Sequence, residues 1–235
     1  MKQTLADANH PRVITAAERL TAGANTNRAW LERLFLFVRD EILFGFPAKG
    51  DFVSASETLE TGVGQCNTKA TLLLALCRAA NIPALINFSL ITKDIQRGFF
   101  TGLAYWLMPQ SISYSWIEVE IEGKWRRIDS FINDLPLHRA EVAEMSERGW
   151  AIGFSVALND GQASADLNID EEAFEQMAAV TDDHGIWDEP ADYYSSSLYR
   201  NRPGTFSTAG LSTDDRQREL ARRSSQKQAK RHFTI

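Results

Sequence analysis

Apolar residues recur at helical spacing from Asn27 to Phe44. Trp30, Leu34, Phe37 and Ile42 share a broad face, and Arg28, Glu32, Arg33, Arg39 and Asp40 lie elsewhere, which predicts an amphipathic helix. A shorter helix is expected over Val13–Thr21, between Pro11 and Gly23. Gly45, Pro47 and Gly50 then break the pattern. Ser54 and Glu57 form a capping-box pair ahead of a helical turn, and Gly62 and Gly64 mark a tight loop. The run CNTKATLLLALCRAANIP is rich in Ala and Leu. It predicts a buried helix that opens near Cys66 and stops at Asn81 and Pro83.

After this helix the period changes. ALINFSLI reads as a strand, and YSWIEVEIEGKWRRIDSF alternates around Glu122-Gly123 as a β-hairpin does. Between them, residues 92–112 form a long irregular excursion holding Phe99, Phe100, Tyr105 and Trp106, either as cleft lining or as a cluster under a loop. A helix is expected over Leu137–Arg148, a strand over WAIGFSVAL, and two further helices over Glu171–Val180 and Asp192–Tyr199. No internal repeat is present.

Charge divides the 235 residues more sharply than hydropathy does. The formal net charge is -6. Residues 1–148 carry net -1, whereas residues 149–199 hold eleven acids with no Lys or Arg. Residues 212–235 carry net +4. Three units are therefore expected: a core over residues 1–148, an acidic extension over 149–211 packed on it, and a basic, flexible tail over 212–235. The acidic extension reads as a solvated surface, or as a lid that favours a cationic substrate. Apart from Phe233 the tail lacks interleaved aromatics, and it carries no nucleic-acid fold signature, so no nucleic-acid partner is expected. No apolar run is long enough to span a membrane, and the N-terminus lacks a secretory core. Two cysteines eleven residues apart make neither a disulfide framework nor a zinc site, and no cofactor motif appears. These features together suit a cytoplasmic protein. Nothing in the sequence sets an oligomeric state.

Cys66 is where chemistry enters. It follows Gly62-Val63-Gly64-Gln65 and opens the apolar helix. Unpaired N–H groups and the helix dipole at that position favour a thiolate and can hold an oxyanion. The plain alternative is a small buried hydrophobe, which is the expectation for Cys77. Downstream, the hairpin carries Tyr114 two residues before Trp116, and Asp129 on its return.

The stretches ASETLETGVGQCNTKATLLLALCRAANIPA and SYSWIEVEIEGKWRRIDS resemble the transglutaminase-like superfamily of cysteine hydrolases and acyltransferases, over about residues 13–135. Its bacterial branch is the nearer type. The resemblance implies a papain-like α+β fold, with a nucleophile helix packed on an antiparallel sheet. It places Cys66 at the nucleophile, Asp129 at the orienting acid and Trp116 at the aromatic beside the catalytic His. At the His position stands Tyr114. A phenol, with a pKa of about 10, is a poor proton acceptor at neutral pH but a good donor. Gln65 is a candidate oxyanion donor or a loop hydrogen-bonding residue. His184, in the acidic extension, is a candidate to fold over the site, ahead of His138; His10 and His232 are more remote. Lys69, one turn into the helix, is expected on its exposed side.

The expected activity is acyl transfer from an amide, ester or thioester through acyl-Cys66 to water or an amine, without a metal, on a small-molecule or peptide substrate. The alternatives are non-hydrolytic chemistry with Tyr114 as acid, and a binding module that keeps the fold without catalysis.

Overall fold

The computed structural model describes residues 4–159, 164–167, 169–170 and 174–201. The expected tail over 212–235 lies outside them. Three helices, α1 (Pro11–Thr21), α2 (Asn27–Asp40) and α3 (Ala55–Thr61), gather around α4 (Cys66–Ala79). The cap of α1 is His10, whose Nδ1 accepts from Arg12 N. Ser54 and Glu57 form the expected reciprocal capping box on α3. Gly62 ends that helix at φ +65, a conformation that suits a residue without Cβ.

Helix α2 stops at Asp40, earlier than its apolar pattern does. Leu43–Phe44 instead forms a short strand, β1, parallel to β2 (Val63–Gly64). That pairing ties the end of α2 to the loop before Cys66. Helix α4 is the centre of the core. Asn67 through Cys77 are all buried, among them Leu72, Leu73, Leu74 and Leu76. Each buried Leu contributes about 1.5–3 kcal/mol relative to an exposed one.

Strands β3 (Ala84–Thr92), β4 (Ser111–Ile121), β5 (Lys124–Ile128) and β8 (Val180–Trp187) form one antiparallel sheet in the order β5-β4-β3-β8. The β4–β5 turn falls at Glu122 and Gly123, both at positive φ, as the sequence indicates. Helix α4 packs against β3 and β4, so the fold is α+β with a buried helix on an antiparallel sheet.

The C-terminal half differs from the sequence expectation in three places. WAIGFSVAL is split into β6 (Ile152–Gly153) and β7 (Val156–Ala157), because Phe154 and Ser155 turn the chain at φ +51 and +60. Within Glu171–Val180, the described residues give one short 3-10 turn, Met177–Ala179, followed by strand β8. Helix α7, the last among the described residues, is Pro190–Ser195 rather than Asp192–Tyr199; Pro190 sits in its first turn, where a missing N–H costs nothing. Helix α6 (Leu135–Arg148) and the short α5 (Gly102–Leu107) are the other α-helices among the described residues. Phe99 and Phe100 are buried in an aromatic cluster with Phe44, Phe46 and Phe154, so they line the core, while Trp106 of α5 stays exposed. Among the described residues no helix is long and apolar enough to cross a membrane.

Candidate active site around Cys66

Cys66 is the first residue of α4 and is half-buried. Burial pushes its thiol well above the ordinary value, and the Asp51 carboxylate pushes the same way. The N–H groups of Asn67 and Cys66 pull down, as a helix start should, but they do not prevail. The expectation of a thiolate-favouring setting is therefore corrected: in this structure desolvation outweighs the helix terminus. Cys77 is fully buried, and burial raises its thiol to about 12.

Asp51 explains much of this. It is fully buried, and four side chains converge on its carboxylate. Oδ1 accepts from Gln65 Nε2. Oδ2 accepts from Asn67 Nδ2 at 2.8 Å, Tyr199 Oη at 3.0 Å and Asn201 Nδ2 at 3.0 Å. Gln65 and Asn67 flank Cys66, so one carboxylate braces both sides of the thiol. The Gln65 amide nitrogen is thereby committed to a loop hydrogen bond.

Tyr114 and Asp129 meet in the sheet. Tyr114 Oη donates to Asp129 Oδ2 at 2.7 Å, and both residues are fully buried. Asp129, just past β5, also accepts from the backbone N–H groups of Glu175 at 2.8 Å and Gln176 at 2.9 Å. Burial raises the Asp129 pKa and these donors oppose the rise. Burial and the Asp129 charge lift the Tyr114 phenol well above its ordinary value, with Cys66 among the further contributors. Tyr114 is thus a fixed donor. Trp116 packs beside it, with ring centroids 6.1 Å apart.

His184 does not join this group. Its Nδ1 is 2.9 Å from Tyr193 Oη, and its Nε2 is 3.4 Å from Asp182. Tyr193 stacks on Phe88 at 4.0 Å and reaches Ser113 Oγ. Phe88 pairs with Ser115 and Ser89 with Tyr114, so the pleat puts His184 and Tyr114 on opposite faces of the sheet. A bulge aims it there: His184 and Gly185 together face Phe88 alone. His138 is buried on α6, and burial lowers its pKa to about 4.

Lys69 is also corrected. It is fully buried, and its Nζ donates to the carbonyls of Arg39, Ile42 and Ile132 at 3.1, 2.7 and 2.7 Å. Burial lowers its pKa to about 7, while Glu175, Asp134 and Asp40 pull it up. Glu175, in the acidic extension, is buried rather than solvated, and caps the N–H groups of Ile132 and Asn133. Among the described residues no cluster of His, Cys, Asp and Glu could hold a metal ion.

Residues 14–130 match the family model of the transglutaminase-like superfamily. That match spans just under half of the 235 residues. It carries Cys66, Tyr114 and Asp129, whereas Glu175, Gln176, Tyr199 and Asn201 come from beyond it. Among solved structures, the chain is similar to a putative cysteine protease from Cytophaga hutchinsonii, at 17% identity and a TM-score of 0.42. The match covers 55% of this chain and 39% of that one. It is also similar to a putative protease from Parabacteroides distasonis, at 16% identity and a TM-score of 0.36, over 53% of this chain and 25% of that one. The comparison with curated proteins returns no match.

Sequence reasoning missed Asp51, Glu175, Tyr199 and Asn201. None lies in a motif, and each acquires its role through partners far away in the chain.

Proposed function

We propose that the chain is a cysteine-dependent acyl-transfer enzyme in which Cys66 is the nucleophile and Tyr114, held by Asp129, stands where a histidine serves in the transglutaminase-like pattern. The Tyr114–Asp129 hydrogen bond of 2.7 Å carries this reading. The Cys66 sulfur bonds to the carbonyl carbon of an amide, ester or thioester. Its proton passes to the Tyr114 oxygen as the Tyr114 proton moves onto Asp129, whose raised pKa suits it to hold one. The N–H groups at the start of α4 hold the oxyanion. Collapse breaks the bond to the leaving group, which takes the proton back by the same route and leaves acyl-Cys66. Water or an amine repeats the sequence and regenerates the thiol. Peptide or small-molecule acyl compounds are the substrate class.

The test is intact-mass detection of an acyl adduct on Cys66 with an amide, an ester and a thioester probe. An adduct in the parent, its absence in Cys66→Ala, and a fall of at least a hundredfold in Tyr114→Phe support the mechanism. Equal rates in Tyr114→Phe rule out the relay.

A second reading has its own observation. Desolvation keeps Cys66 protonated, and His184 lies on the other face of the sheet. A binding module that keeps the fold without turnover accounts for both. It predicts no adduct with any of the three probes.

A further inference from the structure

The C-terminal residues that reach Asp51 do so with a particular chemistry. The Asn201 side chain accepts from Ser113 N–H at 2.8 Å through Oδ1. Its Nδ2 donates to Ser113 O at 2.8 Å and to Asp51 Oδ2 at 3.0 Å. All three capacities of this cradle are complementary to a primary carboxamide. Ser113 N–H requires an acceptor, while Ser113 O and an ionised Asp51 require donors, so only one orientation of the amide satisfies all three. A carboxylate in the same place would set oxygen against both acceptors.

The cradle is built from buried parts. Asp51 and Ser113 are each about 1% exposed. Asn67, next to Cys66, makes the same pair of contacts: its Nδ2 donates to Asp51 Oδ2 and to Ser113 O at 3.1 Å. Two carboxamides thus lie side by side on one carboxylate and one carbonyl, one from the nucleophile helix and one from the C-terminal segment. Further bonds seat that segment: Arg200 N–H donates to Ser113 Oγ at 2.9 Å, and Tyr199 Oη lies 3.0 Å from Asp51 Oδ2 and 2.9 Å from Asn201 O.

We propose that Asp51 and the Ser113 backbone form a primary-carboxamide binding site beside Cys66, that Asn201 fills it intramolecularly, and that this clasp holds the start of α4 closed and limits the reactivity of the thiol. The proposal gives the reading of Cys66 as nucleophile a regulatory site. It is tested without turnover, so its failure and the failure of that reading are separate results.

The experiment labels the full-length protein with methyl methanethiosulfonate, a small neutral thiol reagent, and follows Cys66 and Cys77 separately by peptide mass. Asn201→Ala removes three hydrogen bonds. It is expected to speed Cys66 labelling at least tenfold with Cys77 unchanged. Asn201→Asp, which sets a carboxylate against Asp51, is expected to be at least as fast, and if it does not fold Asn201→Ala decides. Acetamide refills the cradle and should slow labelling of Asn201→Ala toward the parent rate, while acetate and N,N-dimethylacetamide should not. A rate in Asn201→Ala within twofold of the parent overturns the clasp. Acetamide without effect, or acetate acting equally, overturns the carboxamide site.

Discussion

Replacing Tyr114 by Phe removes one oxygen from a fully packed position and nothing else. The bond lost is a 2.7 Å hydrogen bond to a buried carboxylate. Hydrogen bonds to charged groups contribute about 1.5–3 kcal/mol. Asp129 keeps the N–H donors of Glu175 and Gln176, so it is weakened rather than stranded, and about 2 kcal/mol is the expected loss. In a chain of this size that corresponds to roughly 4–8 °C in Tm. The pH dependence separates this bond from packing. The folded Asp129 pKa lies above the ordinary carboxylate value, so its ionisation costs stability as pH rises through the folded pKa. Tyr114 holds that pKa down, and Phe lets it climb further. The loss in Tyr114→Phe should therefore grow as pH rises above the ordinary carboxylate range and shrink toward acid. Urea unfolding of parent and variant at about pH 3.5, within the ordinary carboxylate range, and at pH 8 measures both quantities. A loss under about 0.5 kcal/mol, less than a typical neutral hydrogen bond contributes, or one identical at the two pH values, would refute the reasoning.

Other substitutions probe other parts of the molecule. A Cβ on Gly98 would sit 2.3 Å from the Phe154 ring at φ +96, so Gly98→Ala should destabilise by about 2–4 kcal/mol in chemical denaturation. Phe88→Ala removes the ring stacked on Tyr193 and should cost about 3–5 kcal/mol, read the same way. Asp51→Asn takes away the charge that holds the Cys66 thiol up, so the midpoint of the alkylation-versus-pH curve should move to lower pH; an unchanged midpoint would show that burial alone sets it.

What the sequence reveals of this fold depends on whether an element is recognised locally. Helix α4 is legible because the buried positions from Leu72 to Cys77 form an unbroken apolar run. Helix α3 is legible from its capping box and the β4–β5 hairpin from Glu122-Gly123. Strand β8 is not, because it lies at the sheet edge with Thr181, Asp182 and Asp183 exposed, and an edge strand keeps a polar face. The end of α2 is misjudged for a related reason: Leu43 and Phe44 have helical spacing but are claimed by pairing with Val63 and Gly64. At the site, Cys66, Tyr114 and Asp129 stand out by motif. Lys69 does not, since nothing in a helical repeat signals that three carbonyls from other segments surround its amine.

The two buried acids show why the stretch matched by the family model is insufficient by itself. Asp129 and Asp51 both lie within residues 14–130. Yet Asp129 draws backbone donors from Glu175 and Gln176, and two of the four side chains on Asp51 are Tyr199 and Asn201. An ionised carboxylate buried without its donors costs several kcal/mol, and each acid would lose these donors without the later segments. Glu175 adds a further dependence, because its carboxyl group accepts from the N–H groups of Ile132 and Asn133 just after Asp129, while burial pushes its pKa well above the ordinary value and Lys69 of α4 pulls the other way. The acidic extension therefore contributes in two distinct ways. Its exposed acids on β8 face solvent, and Glu175 lies inside, where it fixes the backbone that follows Asp129. Net charge alone assigns both to the surface; burial and hydrogen bonding separate them.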